Sequence, residues 1–84
     1  MAIKQQPADN NLQSLRIANG LKRTDLAKLA RVSDRTIADI EHRRRSGSDE
    51  IKYKITKGLN KHRKDSGEPQ YAFDEVFPDQ PRLF

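Results

Sequence analysis

Four polar side chains within one short stretch, Ser33, Arg35, Thr36 and Asp39, carry the donors and acceptors needed to read the edge of a base pair. An Arg guanidinium can bridge O6 and N7 of guanine, a carboxylate can accept from N4 of cytosine, and a Thr methyl can meet the methyl of thymine. Cationic and hydroxyl groups flank them: Arg23 and Thr24 on one side, Arg43, Arg44 and Arg45 on the other. Groups of that kind suit phosphate, whose contacts supply affinity and register without sequence information. Asp34 reads first as a helix first-turn residue, where the helix dipole favours a negative charge. For Asp39 two readings stay open, a base contact and an ordinary helix position, because a carboxylate approaches phosphate unfavourably.

Other chemistries find no support. His42 and His62 stand alone with no neighbouring ligand set, so no metal site is expected, and no cofactor. There is no nucleophile paired with a base, no phosphate-cradling glycine loop and no pair of catalytic carboxylates, so an enzyme is not expected.

The elements that must hold these side chains can be read from the spacing of apolar residues. Leu26, Leu29 and Ala30 follow i, i+3, i+4, and Ile37 and Ile40 are three apart, with a break at Arg31-Val32-Ser33 between the two patterns. Ser33 is a good N-cap for the second. Two helices of about two turns joined by so tight a corner must cross steeply, which is helix-turn-helix geometry. The second should run from about Asp34 to His42 with Ile37 and Ile40 inward, and Arg35, Thr36 and Asp39 directed elsewhere.

Before this pair, Asp9 or Asn10 can cap a helix running to about Asn19, stopped by Gly20. The second helix has a poor cap in Lys22 and a better one in Thr24, which would shorten it by about a turn. Arg31 has to occupy the corner, where a positive φ costs a non-Gly residue of order 1 kcal/mol. After the loop of Arg43 to Gly47, Ser48 caps a helix that buries Ile51, Ile55 and Leu59, with Tyr53 at its margin and Gly58 allowing a close helix approach; it should fray near His62. Its cations Lys52, Lys54, Lys57, Lys61, Arg63 and Lys64 are expected to face solvent and to attract at long range.

At 84 residues the chain makes one small domain, and 35% charged against 33% hydrophobic residues means a small core. It has no Cys, so disulfides and thiolate chemistry are absent, as suits a reducing cytoplasm. No apolar run is long enough to span a membrane, and the first residues lack the apolar stretch of a secretory signal. The net charge of +5 is unevenly spread: residues 43–64 carry +7 and residues 65–84 carry −4. A basic middle followed by an acidic tail points to a polyanion partner for the middle.

The chain therefore divides into a flexible arm over 1–8 with Ile3 resting on the domain, a helical domain over 9–64, and a linker and apolar, acidic tail over 65–84. In the tail, alternation of Tyr71 and Phe73 suggests an extended piece, whereas Phe73, Val76 and Phe77 at i, i+3, i+4 suit a helical turn. Either form leaves Tyr71, Phe73, Val76 and Phe77 to cap the core or to meet a protein partner.

Taken together the pattern resembles the Cro/C1-type helix-turn-helix family, also called XRE-like regulators, over roughly Leu12 to Asn60. The matching steps are Leu15-Arg16, Gly20-Leu21, Leu26-Ala27, Val32-Ser33, Ile37, Ile40, Glu41, and Ile55 with Leu59-Asn60. There are departures. The family's Ser/Thr and Gln at the start of its second helix are Lys22 and Arg23, its corner Gly is Arg31, and the Asn-Gly after its Glu is His42-Arg43. The resemblance implies an all-α, lambda-repressor-like fold of four to five short helices with a short C-terminal tail. It also implies a structural ion pair of Arg16 with Glu41 and sequence-specific binding to double-stranded DNA as a homodimer. A transcriptional repressor of the phage or mobile-element kind is the expected function, acting in the cytoplasm on the nucleoid. The alternatives are an antitoxin that regulates its own operon and binds a toxin through the tail, and an interaction domain that has lost DNA binding; RNA binding ranks below both for want of a stacking platform.

Overall fold

Each of the four longer helices ends in the same way, with a residue in the left-handed conformation just past its last turn. The structure is a computed structural model and describes residues 10–45 and 47–78. Its helices are α1 (Leu12–Ala18), α2 (Arg23–Ala30), α3 (Asp34–Glu41), α4 (Asp49–Asp65) and α5 (Phe73–Val76), and no strand occurs among the described residues. The expected arm over 1–8, the Asp9 cap, Ser46 and residues 79–84 lie outside the described residues.

After α1 and α4 the left-handed residue is glycine, Gly20 at φ 69° and Gly67 at φ 75°. After α2 and α3 it is arginine, Arg31 at φ 61° and Arg43 at φ 60°. All four ends close with the paired bonds of a Schellman motif; after α3, Arg43 N–H donates to Ile40 O (3.1 Å) and Arg44 N–H to Asp39 O (2.8 Å). The left-handed residue at Arg31 is the one the sequence led us to expect, whereas Arg43 carries a second, at the position where the resembled pattern has the Gly of its Asn-Gly step. A side chain at such a position costs about 1 kcal/mol relative to glycine. Arg31→Gly should therefore raise the urea midpoint, by the equivalent of about 1 kcal/mol. A lower midpoint would mean that Arg31 makes compensating contacts.

The helix starts follow their caps. Ser33 Oγ accepts from Thr36 N–H (3.0 Å) at α3, and Ser48 Oγ from Ile51 N–H (3.2 Å) at α4. At α1 it is Asn10 Oδ1 that accepts from Leu12 N–H (3.0 Å). α2 begins at Arg23 although Lys22 has no acceptor to offer, because the Asp25 carboxylate reaches back to Lys22 N–H (3.0 Å). The helix is thus not shortened to Thr24.

Leu12, Leu26, Ile37, Ile40, Ile55 and Leu59 are fully buried and meet at the centre. α2 lies so close on α4 that a Cβ at Gly58 would come within 2.9 Å of Ala30 N, so no larger residue fits there without a shift. α4 runs a turn beyond His62, to Asp65, because Gly67 gives it a clean stop.

The tail is part of this core. Val76 and Phe77 are buried, and the segment is a helical turn, not an extended piece. Asn11 fixes it from one side, donating its N–H to Val76 O and its Nδ2 to Glu75 O (both 2.9 Å). On the other side Asn60 makes a two-way bond with the backbone of Tyr71, accepting at 2.7 Å and donating at 3.0 Å. Arg63 stacks its guanidinium 4.1 Å from the Tyr71 ring centre and donates to the Tyr71 hydroxyl (2.8 Å) and to Asn19 Oδ1 (3.0 Å). This placement corrects two solvent-facing expectations. Lys52 is 4% exposed, with its ammonium 5.7 Å from the centre of the Phe77 ring, because the returning tail covers that side of α4. Arg63 likewise serves the tail.

Candidate nucleic-acid interface

Besides Ile37 and Ile40 in the core, one buried carboxylate braces α3. The Glu41 side chain is wholly inaccessible and accepts from Arg16 Nε (2.5 Å), Arg16 Nη2 (3.1 Å) and Arg23 Nε (3.1 Å). Arg16 also donates through Nη1 to Leu21 O (2.9 Å). One acid therefore ties α1, the start of α2 and the end of α3 to each other, fixing the angle at which α3 stands out from the domain. Arg23 turns out to be part of this brace: besides Glu41 it lies 3.1 Å from His42 Nε2, and its side chain is 40% exposed. Arg23, expected as a phosphate contact, is thus engaged through Nε while still lining the outer surface beside α3.

Beside the brace runs an open groove of about 660 Å³ between the start of α2 and the outer face of α3. It is lined by Arg16, Lys22, Arg23, Thr24, Asp34, Arg35 and Ala38. Thr24 and Arg35, expected on chemical grounds, thus face a common space. Lys22, outside the set of candidate contacts above, joins them. Ala38 keeps the floor low.

At the N-terminus of α3 the hydroxyls of Ser33 and Thr36 lie 2.9 Å apart, so the pair presents one shared polar edge. Arg35, in the first turn, has its side chain 87% exposed. Asp39 is different. The residue is 5% exposed, and its carboxylate faces Arg44 Nη1 (3.2 Å), Arg45 Nε (3.5 Å) and Arg35 Nε (3.8 Å). Its expected direction away from the core is corrected, and a base contact would first need its cover opened. The left-handed turn at Arg43 swings the following arginines back over α3, and they cover it.

Arg43, Arg44 and Arg45 follow at the end of α3, all exposed. With Lys22, Thr24 and Arg35 they give a surface that is cationic on both sides of the projecting helix. Such a surface can hold two phosphate strands and present a short row of polar side chains between them. Among the described residues no cluster of three or more His, Cys, Asp or Glu is placed to hold a metal ion. None of the described helices is long and apolar enough to cross a membrane.

A helix-turn-helix family model matches residues 12–65, which takes in α1 to α4 and leaves the tail outside. Neither curated proteins nor solved structures give a significant match to the chain.

Proposed function

Because the chain belongs to the Cro/C1-type helix-turn-helix family of DNA-binding transcriptional regulators, we propose that it is a repressor, binding a palindromic operator as a homodimer and blocking a promoter by occupancy. The observation that carries this reading is the outer face of α3. Arg35 stands 87% exposed beside the Ser33 and Thr36 hydroxyls, braced from behind by the buried Glu41. In this reading Ser33, Arg35 and Thr36 meet base edges, while Lys22, Thr24, Arg43, Arg44 and Arg45 meet phosphate. A symmetric dimer would place two copies of α3 in successive major grooves, about one helical turn apart. The site needs no cofactor and performs no reaction; the protein works on the nucleoid, in a bacterial or phage-infected cytoplasm.

An antitoxin that grips its toxin through the tail is less well supported. Val76 and Phe77 close the domain's own core and could reach a partner only by opening it.

Selection of bound duplexes from a random pool tests the proposal. The wild type should recover a palindrome with half-sites about one turn apart. Arg35→Ala should bind the same sites with one position per half-site relaxed, weakening each half-site by about 1–3 kcal/mol. Recovery of no motif, with binding that vanishes as salt rises, would overturn it and leave only charge attraction.

A further inference from the structure

Among the described residues, Arg35, Arg44 and Arg45 share one acid, Asp39. We propose that Asp39 is a positioning residue that trades affinity for specificity, holding the guanidiniums of Arg35, Arg44 and Arg45 in a fixed fan and partly cancelling their charge. The inference rests on the DNA-binding reading above and gives Asp39 a role other than reading a base.

Three observations carry it. First, the carboxylate is nearly closed to solvent, its side chain 7% exposed, whereas the three arginine side chains around it are 87%, 67% and 65% exposed. The acid is the enclosed member of the group, and the arginines are its exposed cover. Second, the same residue anchors them through its backbone, since Asp39 O accepts from Arg44 N–H (2.8 Å) and from Arg45 N–H (3.4 Å). That helix end forms only because Arg43 takes a left-handed φ of 60°, so the backbone and the side chain of Asp39 act on the same two residues. Third, Arg35 sits one turn before Asp39 on α3, its Nε 3.8 Å from Oδ2, so the base-reading candidate and the phosphate-contacting candidates are oriented by one group.

The physical consequence is a pair of opposed effects. Without the carboxylate the interface gains a full positive charge, and each cation that reaches a phosphate adds about 0.9 to the magnitude of the salt slope. Without it Arg35 also loses the partner that limits its rotamers, so its contact with one base becomes less exclusive. Affinity and discrimination should then move in opposite directions.

The test is Asp39→Asn, with Asp39→Glu beside it, in the full chain. Binding to a non-specific duplex and to the selected site would be titrated over a range of salt, and thermal unfolding followed separately. For Asp39→Asn the expected result is roughly fivefold tighter non-specific binding at 0.15 M salt and a salt slope steeper by about 0.9. Discrimination at the position that Arg35→Ala relaxes should fall at least about threefold. Asp39→Glu, which keeps the charge, should restore the slope. Discrimination left unchanged or raised, or a specificity loss accompanied by weaker non-specific binding, would overturn the proposal, the latter because it marks a merely structural role. If the wild type itself selects no site, the DNA-reading premise has failed instead, and the non-specific salt slopes alone decide the charge-cancelling part.

Discussion

Phe77→Ala should cost about 3–5 kcal/mol of folding stability, as removal of a buried ring does when the space cannot collapse. Phe77 is 1% exposed, packs its ring 5.5 Å from that of Phe73, and lies under Lys52. A domain of this size has a total stability of about 5–10 kcal/mol, so the loss takes a large part of it. Thermal unfolding followed by circular dichroism should show the midpoint lowered by roughly 15 °C or more. A shift of only a few degrees would mean that the tail rests on the domain without completing it. Truncation after Lys64 should be worse still, since it also strips the Asn60, Asn11 and Arg63 bonds to the tail. The family match ends at residue 65, so a shortened chain holding only the matched segment should be unstable. For the same reason such a truncation cannot separate loss of a partner from loss of the fold, and point substitutions on the exposed side of Tyr53 and Phe73 are the better probe of any partner.

The second large effect is expected at Glu41. Glu41→Gln keeps the shape but replaces the acceptor of two arginines with an amide, whose own donors face theirs. Removing one partner of a buried ion pair costs about 3–5 kcal/mol, chiefly because the other charge stays buried. Arg16 is 8% exposed and has nowhere else to turn, whereas Arg23 can swing to solvent. The double variant Arg16→Met with Glu41→Leu should therefore recover much of the loss, leaving the unfilled Leu21 carbonyl as a residual cost. A double-mutant cycle in urea measures this. If Glu41→Gln costs less than about 1 kcal/mol, the brace is not what sets the position of α3. If the full cost is seen, sequence-specific binding should weaken with it even in conditions where the variant stays folded, since α3 would no longer be held at one angle.

Much of this architecture was legible before any coordinates. The spacing of Leu26, Leu29 and Ala30, the break at Arg31 and the pair Ile37 and Ile40 determine two short helices and a sharp corner, because period and N-cap preference act within a few residues of chain. Gly20, Ser33, Ser48 and Asp49 mark their helix ends for the same local reason. The chemistry of Arg35 and Thr36 is likewise written in their types, as is the charge of the stretch from Arg43 onward.

What only the tertiary structure decided is which charges are already spoken for. Arg23, Asp39, Lys52 and Arg63 look like free surface groups in the chain, and each proves to be engaged or covered by a residue far away or across a turn. Glu41 claims Arg23, Arg44 and Arg45 cover Asp39, the returning tail buries Lys52, and Tyr71 takes Arg63. The tail shows the same limit: its apolar spacing allowed a core cap or a partner contact, and only the meeting of Val76 and Phe77 with α1 and α4 shows that these two side chains close the core. Local spacing fixes helices because their hydrogen bonds close over four residues. Burial and charge pairing close over the whole fold, so they are settled only when the helices have met.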